Sequence, residues 1–205
     1  MNITIKELED HLCARRLPTL ELINLCRDLH APFRAHPLGF ISCTFITEGA
    51  FNARLHIWPV NEKTIQDEDI QIHDHVFDFQ SWVLTGQIQN TELSISTDGE
   101  LFAMYSTSYV QNKSTLKKLD KSIRIKPIKK TLHLAGSMYS IKAGQLHQTQ
   151  RIGRDTAVTV LITQATSLPH PTVLGPIDGP DIFEYQRTEV TENILDSILS
   201  SISQS

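Results

Sequence analysis

The sequence predicts an all-β core of the sandwich or barrel type, preceded by two helices and followed by a short third one. Three observations lead there. Apolar residues recur at helical spacing over residues 4–31 and again from Glu192 to Ile202. From about residue 38, short runs rich in β-branched and aromatic residues follow one another, with Gly, Asn or Asp at most joins, as many short strands require. A chain of 205 residues with 40% hydrophobic content also suits one domain with a substantial core.

Taken in order, Ile5, Leu8 and Leu12 form the apolar stripe of a first helix, and Thr4 with Glu7 three positions on is a capping box. Pro18 sits where a second helix restarts. Leu20, Ile23, Leu25 and Leu29 supply its apolar face until Pro32 stops it. Cys13 and Cys26 belong to this packing. The expected strands are Phe40–Thr47, Ala53–Trp58, Ile70–Phe77, Ser81–Ile88, Glu92–Ser96, Leu101–Tyr109, Thr131–Leu134, Met138–Ile141, His147–Arg151 and Ala157–Thr163. Residues 111–130 read as an excursion between two halves of the barrel. Residues 165–187, with four prolines, read as an irregular wrap. The expected organisation is a helical extension over 1–37, a barrel over 38–165, and a wrap with a terminal helix over 166–205.

A net charge of −4 argues against a nucleic-acid partner or an anionic membrane surface. Basic residues do cluster between Lys113 and Lys130, with no aromatic residue interleaved to stack on bases, so the run reads as a solvated loop face. No apolar run approaches the ~18 residues of a membrane span. The first residues lack the basic and apolar regions of a signal peptide. Three cysteines without Cys-x-x-Cys spacing give no disulfide framework, and a cytoplasmic location is expected.

Nine histidines direct attention to imidazole chemistry. His73 and His75 are separated by one residue, so on a strand they project from the same face. His147 follows the turn glycine Gly144, where a returning strand can face them. Three neutral imidazoles on one side of a divalent ion leave the other side open to substrate, the arrangement of a catalytic site. Imidazole accepts several such ions, so Fe2+, Zn2+, Ni2+ and Mn2+ all remain open on this ground. Arg54, His56 and Trp58 share one face of their strand by alternation. If that face points inward, Arg54 is a carboxylate clamp; if outward, Trp58 caps the barrel edge. Asp78 reads either as a partner orienting a ligand histidine or as a surface residue beside the turn. Tyr139 offers a phenol near the metal or a core tyrosine. Asp74 alternates away from the ligands, and His11, His30, His36, His133 and His170 have no partner spacing.

The two segments resemble the paired motifs of the cupin superfamily. The first pattern, His-x-His, a glutamate and then a glycine, maps onto His73, His75, position 79 and Gly86. The second maps onto Gly136, Lys142, Gly144, His147 and Arg151, with lysine in the proline place and arginine in the asparagine place. Phe79 stands where most members carry a glutamate ligand, which is similar to the three-histidine subset typified by cysteine dioxygenase and other thiol dioxygenases. Phe51-Asn52 and Ile57-Trp58 also resemble that family, and the likeness covers roughly residues 40–165. The family's carboxylate-gripping arginine would fall near Cys43, and its relay tyrosine near Thr163; both are missing. The resemblance implies a double-stranded β-helix (jelly-roll barrel) with His73, His75 and His147 holding Fe2+. It further implies an oxygenase acting on a small anionic or thiol-containing molecule with O2, and a homodimer. The same fold hosts isomerases and hydrolases that use Zn2+, Mn2+ or Ni2+ without oxygen, and non-catalytic ligand-binding members.

Overall fold

The computed structural model describes residues 3–60 and 70–202. Helices α1 (Ile5–Cys13) and α2 (Thr19–Asp28) lead into β1 (Arg34–Ala35), β2 (Ile41–Glu48), β3 (Phe51–Trp58), β4 (Ile72–His73) and β5 (Phe77–Thr85). There follow β6 (Gln87–Val110), β7 (Lys113–Leu134), β8 (Met138–Ile141), β9 (His147–Ile152) and β10 (Ala157–Ala165). The chain finishes with β11 (Thr172–Gly175), β12 (Ile182–Gln186) and α3 (Glu192–Ile202). One antiparallel sheet runs β1-β2-β3-β10-β5-β8 and the other β11-β4-β9-β6-β7-β12. From β3 onward the chain alternates between them, with β3, β5, β8 and β10 in the first and β4, β6–β7, β9 and β11 in the second. That alternation is the jelly-roll topology expected of the sequence.

The capping box forms as expected. The Glu7 amide donates to Thr4 Oγ1 at 3.2 Å, and the Thr4 amide donates to Glu7 Oε2 at 2.9 Å. The α2 face differs from the expected one. Leu22, Ile23 and Cys26 are buried, whereas Leu20 and Leu29 are more than a third exposed. Pro32 does not end the helix either: it stops at Asp28, and His30 turns the chain with a φ of 53°. Cys13 is exposed and Cys26 fully buried, so only the second belongs to the packing. No helix of the described residues is long and apolar enough to cross a membrane.

Leu8, Leu12, Leu22 and Ile23 of the first two helices, with Leu195 and Ile198 of α3, form one cluster with Ala53, Leu55, Ile57, Val158, Val160 and Ile162. The helices therefore cover the outer face of the first sheet. Alternation then sends Arg54, His56 and Trp58 to the inner face, between the sheets, where they line the central cavity.

Two expectations fail for backbone reasons. Residues 111–130 are not an excursion. After the turn at Gln111, whose φ is 53°, residues 113–130 belong to β7, which pairs with β6 as a hairpin. Glu92–Ser96 and Leu101–Tyr109, expected as two strands, are one strand, β6, whose register against β7 shifts between Ile95 and Glu100. The basic residues accordingly lie on a strand, with Lys126 paired to Asp98 at 2.9 Å and Lys118 Nζ donating to the Ile177 and Gly179 carbonyls at 2.6 and 2.9 Å. Residues 165–187 are not wholly irregular: β11 pairs with β4 and β6, and β12 with β7.

Candidate metal centre

His73 lies in the ladder of the second sheet, with Val173 of β11 on one side and His147 of β9 directly opposite on the other. His75 is past the end of β4, where the chain crosses to the first sheet. The His-x-His segment was expected to lie within one strand; only Ile72 and His73 are strand. Gly144, at φ +76°, donates its amide to the His75 carbonyl at 2.9 Å, so the turn before β9 is tied to the crossover. Local hydrogen bonding thus joins segments some seventy residues apart in sequence.

The three imidazoles converge. One nitrogen of each of His73, His75 and His147 lies within 4.8 Å of the other two. Nδ1 of His73 sits 3.0 Å from the Gln71 carbonyl, and Nδ1 of His147 sits 3.2 Å from that of Gln145. A carbonyl only accepts, so in both residues Nδ1–H donates and Nε2 keeps its lone pair. His75 is held differently, stacked on Phe77 at 4.6 Å and edge-on to Phe79 at 5.3 Å. Burial lowers the His73 pKa. His75 is lowered by burial and then by both neighbouring imidazoles, and His147 by burial and then His73, to about 3. All three are neutral near pH 7, the form that binds a divalent ion. Donor type, protonation and convergence fit such a metal; Phe79 is buried against His75 and His147, and among the described residues no carboxylate joins the donor set.

A cavity of about 500 Å³ opens between the sheets at this cluster. Arg54 enters it from β3, its Cζ 4.7 Å from the centroid of the Phe77 ring. Its guanidinium pKa is lowered, first by burial and then by the charge of Arg187. Tyr139 lines the same cavity, with its ring stacked on His133 at 4.2 Å, and burial raises its phenol to about 12.

Asp78 is not where a ligand-orienting carboxylate would be. It accepts from the Ala143 amide at 2.9 Å and from Lys142 Nζ at 2.7 Å, on the far side of β5 from Phe77 and Phe79. It pins the turn that delivers His147, while backbone carbonyls orient the imidazoles of His73 and His147. Nor is Asp74 simply outward. Half-buried, it accepts from the Thr172 amide at 2.6 Å and its own amide donates to the Thr172 carbonyl at 3.0 Å, locking β4 to β11.

Two cavity residues escaped the sequence reading. His36, stacked on Phe40 at 4.2 Å, had no spacing partner to mark it. Arg187 lies immediately past β12, and only the pairing of β12 with β7 brings it to the cavity.

No family model matches the sequence, and no curated protein matches it significantly. Solved structures similar to the chain include the hydroxypropylphosphonic acid epoxidase of S. wedmorenis. That likeness has a TM-score of 0.41 and 9% identity, over 65% of this chain and 55% of the epoxidase. A cupin superfamily protein of Desulfitobacterium hafniense DCB-2 aligns with a TM-score of 0.35 and 10% identity, over 64% of this chain and 83% of its own. The hydroquinone 1,2-dioxygenase PnpCD, solved with Cd2+ and 4-hydroxybenzonitrile, aligns at 0.37 and 12%, over 61% and 64%. The fold of this chain rests on its own strand order: a jelly roll carrying a three-histidine cluster able to hold a metal ion.

Proposed function

We propose that this protein is a mononuclear Fe2+ oxygenase acting on a small anionic molecule. The observation that carries the reading is the set of three neutral imidazoles facing a cavity, with no carboxylate joining them among the described residues. When bound, the ion supplies Lewis-acid and redox chemistry to substrate and O2. The protein supplies position and exclusion. Phe77 and Phe79 wall the histidines off from bulk water on the side of the first sheet. Arg54 orients the substrate through an anionic group, because a guanidinium forms two parallel hydrogen bonds to a carboxylate. Tyr139 keeps its proton through the physiological range and offers its hydroxyl as a hydrogen-bond donor to the bound molecule. Asp78, through Ala143 and Lys142, holds the turn that sets the position of His147.

Oxygen uptake by Fe2+-loaded protein tests this, measured against a panel of thiols and small carboxylates. Uptake tied to substrate loss, and abolished in His147→Ala, is the expected result. Turnover that proceeds without oxygen, with Zn2+, Ni2+ or Mn2+ bound, would replace the oxygenase by a Lewis-acid enzyme on the same histidines.

A further inference from the structure

At the end of the cavity built by β2 and β3, two positive charges have no counterpart in the described chain. Arg54 has a buried Nε without a hydrogen-bond partner. Arg187 donates through Nε to Ser114 Oγ at 2.8 Å, and its Cζ lies 5.1 Å from the Tyr109 ring centroid. Among the described residues, no carboxylate comes within 4.0 Å of either guanidinium. Asp74, the one acid among the described residues lining the cavity, has a carboxylate oxygen engaged by the Thr172 amide.

The surroundings suit an anion and little else. Ser42 and Thr44 stand opposite His56 and Arg54 in the β2–β3 register. Together with His36 and Arg187, they line both the main cavity and an adjoining recess of about 120 Å³. Arg34, with its own unpartnered buried Nε, lines the recess too. His36 and His56 add no charge, because burial and the nearby guanidinium groups hold both imidazoles neutral. Buried cations that repel each other are costly to keep unless something neutralises them. Hydroxyl donors between two forked guanidinium groups are the recognition chemistry of a multiply charged oxyanion.

We infer that Arg54 and Arg187 form a subsite for a dianionic group, a phosphoryl group or a pair of carboxylates, in the cavity that the three histidines also line. Two guanidinium charges match two negative ones, whereas a single carboxylate leaves one cation unbalanced. Calling the occupant a substrate rests on the proposed function; the subsite itself does not. The molecule would then present its reacting atom to the histidines and its dianionic tail to the arginines.

Titration calorimetry on the full chain tests the subsite, with inorganic phosphate, malonate and acetate as probes. Phosphate or malonate should bind about tenfold or more tightly than acetate. Arg54→Gln and Arg187→Gln should each weaken the dianion by about tenfold or more, and Arg187→Lys by less, because it keeps the charge and loses the fork. Preference for phosphate would assign a phosphoryl tail, and preference for malonate a dicarboxylate. The His147→Ala protein should keep its dianion affinity while losing metal, so failure of the metal centre and failure of the subsite are separate results. Thermal melts with and without phosphate read the same binding in any variant of lowered stability: wild type should be stabilised by phosphate and Arg187→Gln should not. Equal binding of acetate and both dianions, or wild-type dianion affinity in both glutamine variants, would overturn the subsite.

Discussion

The two faces of β3 carry opposite chemistry on one stretch of backbone. Outward, Ala53, Leu55 and Ile57 have no exposure and pack beneath the helices. Inward, Arg54, His56 and Trp58 line a cavity, with Arg54 Nε and Trp58 Nε1 both buried and without partners among the described residues. The outer face follows the rules of a core: aliphatic, close-packed and free of polar atoms. The inner face departs from them, and unmet polar groups of this kind mark sites whose partners are ligands. Stability and function are therefore separated by side-chain alternation, and substitutions on the two faces should act in opposite senses.

The largest effect is expected outside. Leu55→Ala removes a fully buried side chain from the helix-covered cluster and should cost about 2–5 kcal/mol in chemical denaturation. Its metal content, measured on the fraction that remains folded, should be unchanged. A loss of metal without loss of stability would mean that the two faces are not separable.

Acidification should come next. Burial, then the charges of Arg54 and Arg187, lowers the His56 pKa to about 3. Between pH 6.5 and 3 the folded protein keeps this ring neutral while the unfolded chain protonates it. The unfolded state binds more protons there, so stability falls as pH drops from about 6.5 towards the folded value. For His56 alone the slope approaches about 1.4 kcal/mol per pH unit. His56→Gln should flatten the pH dependence of the unfolding free energy, measured by chemical denaturation, by that amount. An unchanged slope would show that His56 is protonated in the folded state.

Arg54→Met should have the opposite sign to Leu55→Ala. Removing a part-buried charge that is uncompensated among the described residues should stabilise the ligand-free protein by about 1 kcal/mol, read by the same denaturation experiment. Destabilisation would mean that Arg54 already has a counter-charge. The smallest effect belongs to an exposed helix end: Thr4→Ala dismantles the capping box of α1 and should cost about 0.5–1 kcal/mol.

How far the molecule was legible in its sequence follows from the range of the interactions involved. The capping box at Thr4 and Glu7 and the strand alternation of β3 are local, and both were read directly. The three histidines were found through spacing and a turn glycine, although the strand carrying His73 ends before His75. Which side of β3 faces inward was left open, because alternation defines two faces without saying which is covered. The aliphatic set at Ala53, Leu55 and Ile57 held the answer once the helices needed a surface to pack on. Arg187 had no local signal at all. It follows a short strand expected as irregular chain, and its position depends on pairing between residues 182–186 and 113–117. Asp78 was left between two readings, a partner of a ligand histidine and a residue beside the turn, because adjacency to a motif in sequence says nothing about which side of a strand a side chain occupies; its bonds to Lys142 and Ala143 agree with the second.

The central claim is that His73, His75 and His147 hold one metal ion, and metal stoichiometry tests it most directly. Protein purified without chelator and reloaded with Fe2+ under anaerobic conditions should contain about one ion per chain by elemental analysis, given one three-imidazole donor set among the described residues. His73→Ala, His75→Ala and His147→Ala should each lose it while remaining folded by circular dichroism. Full metal occupancy in a folded His147→Ala protein would contradict the account.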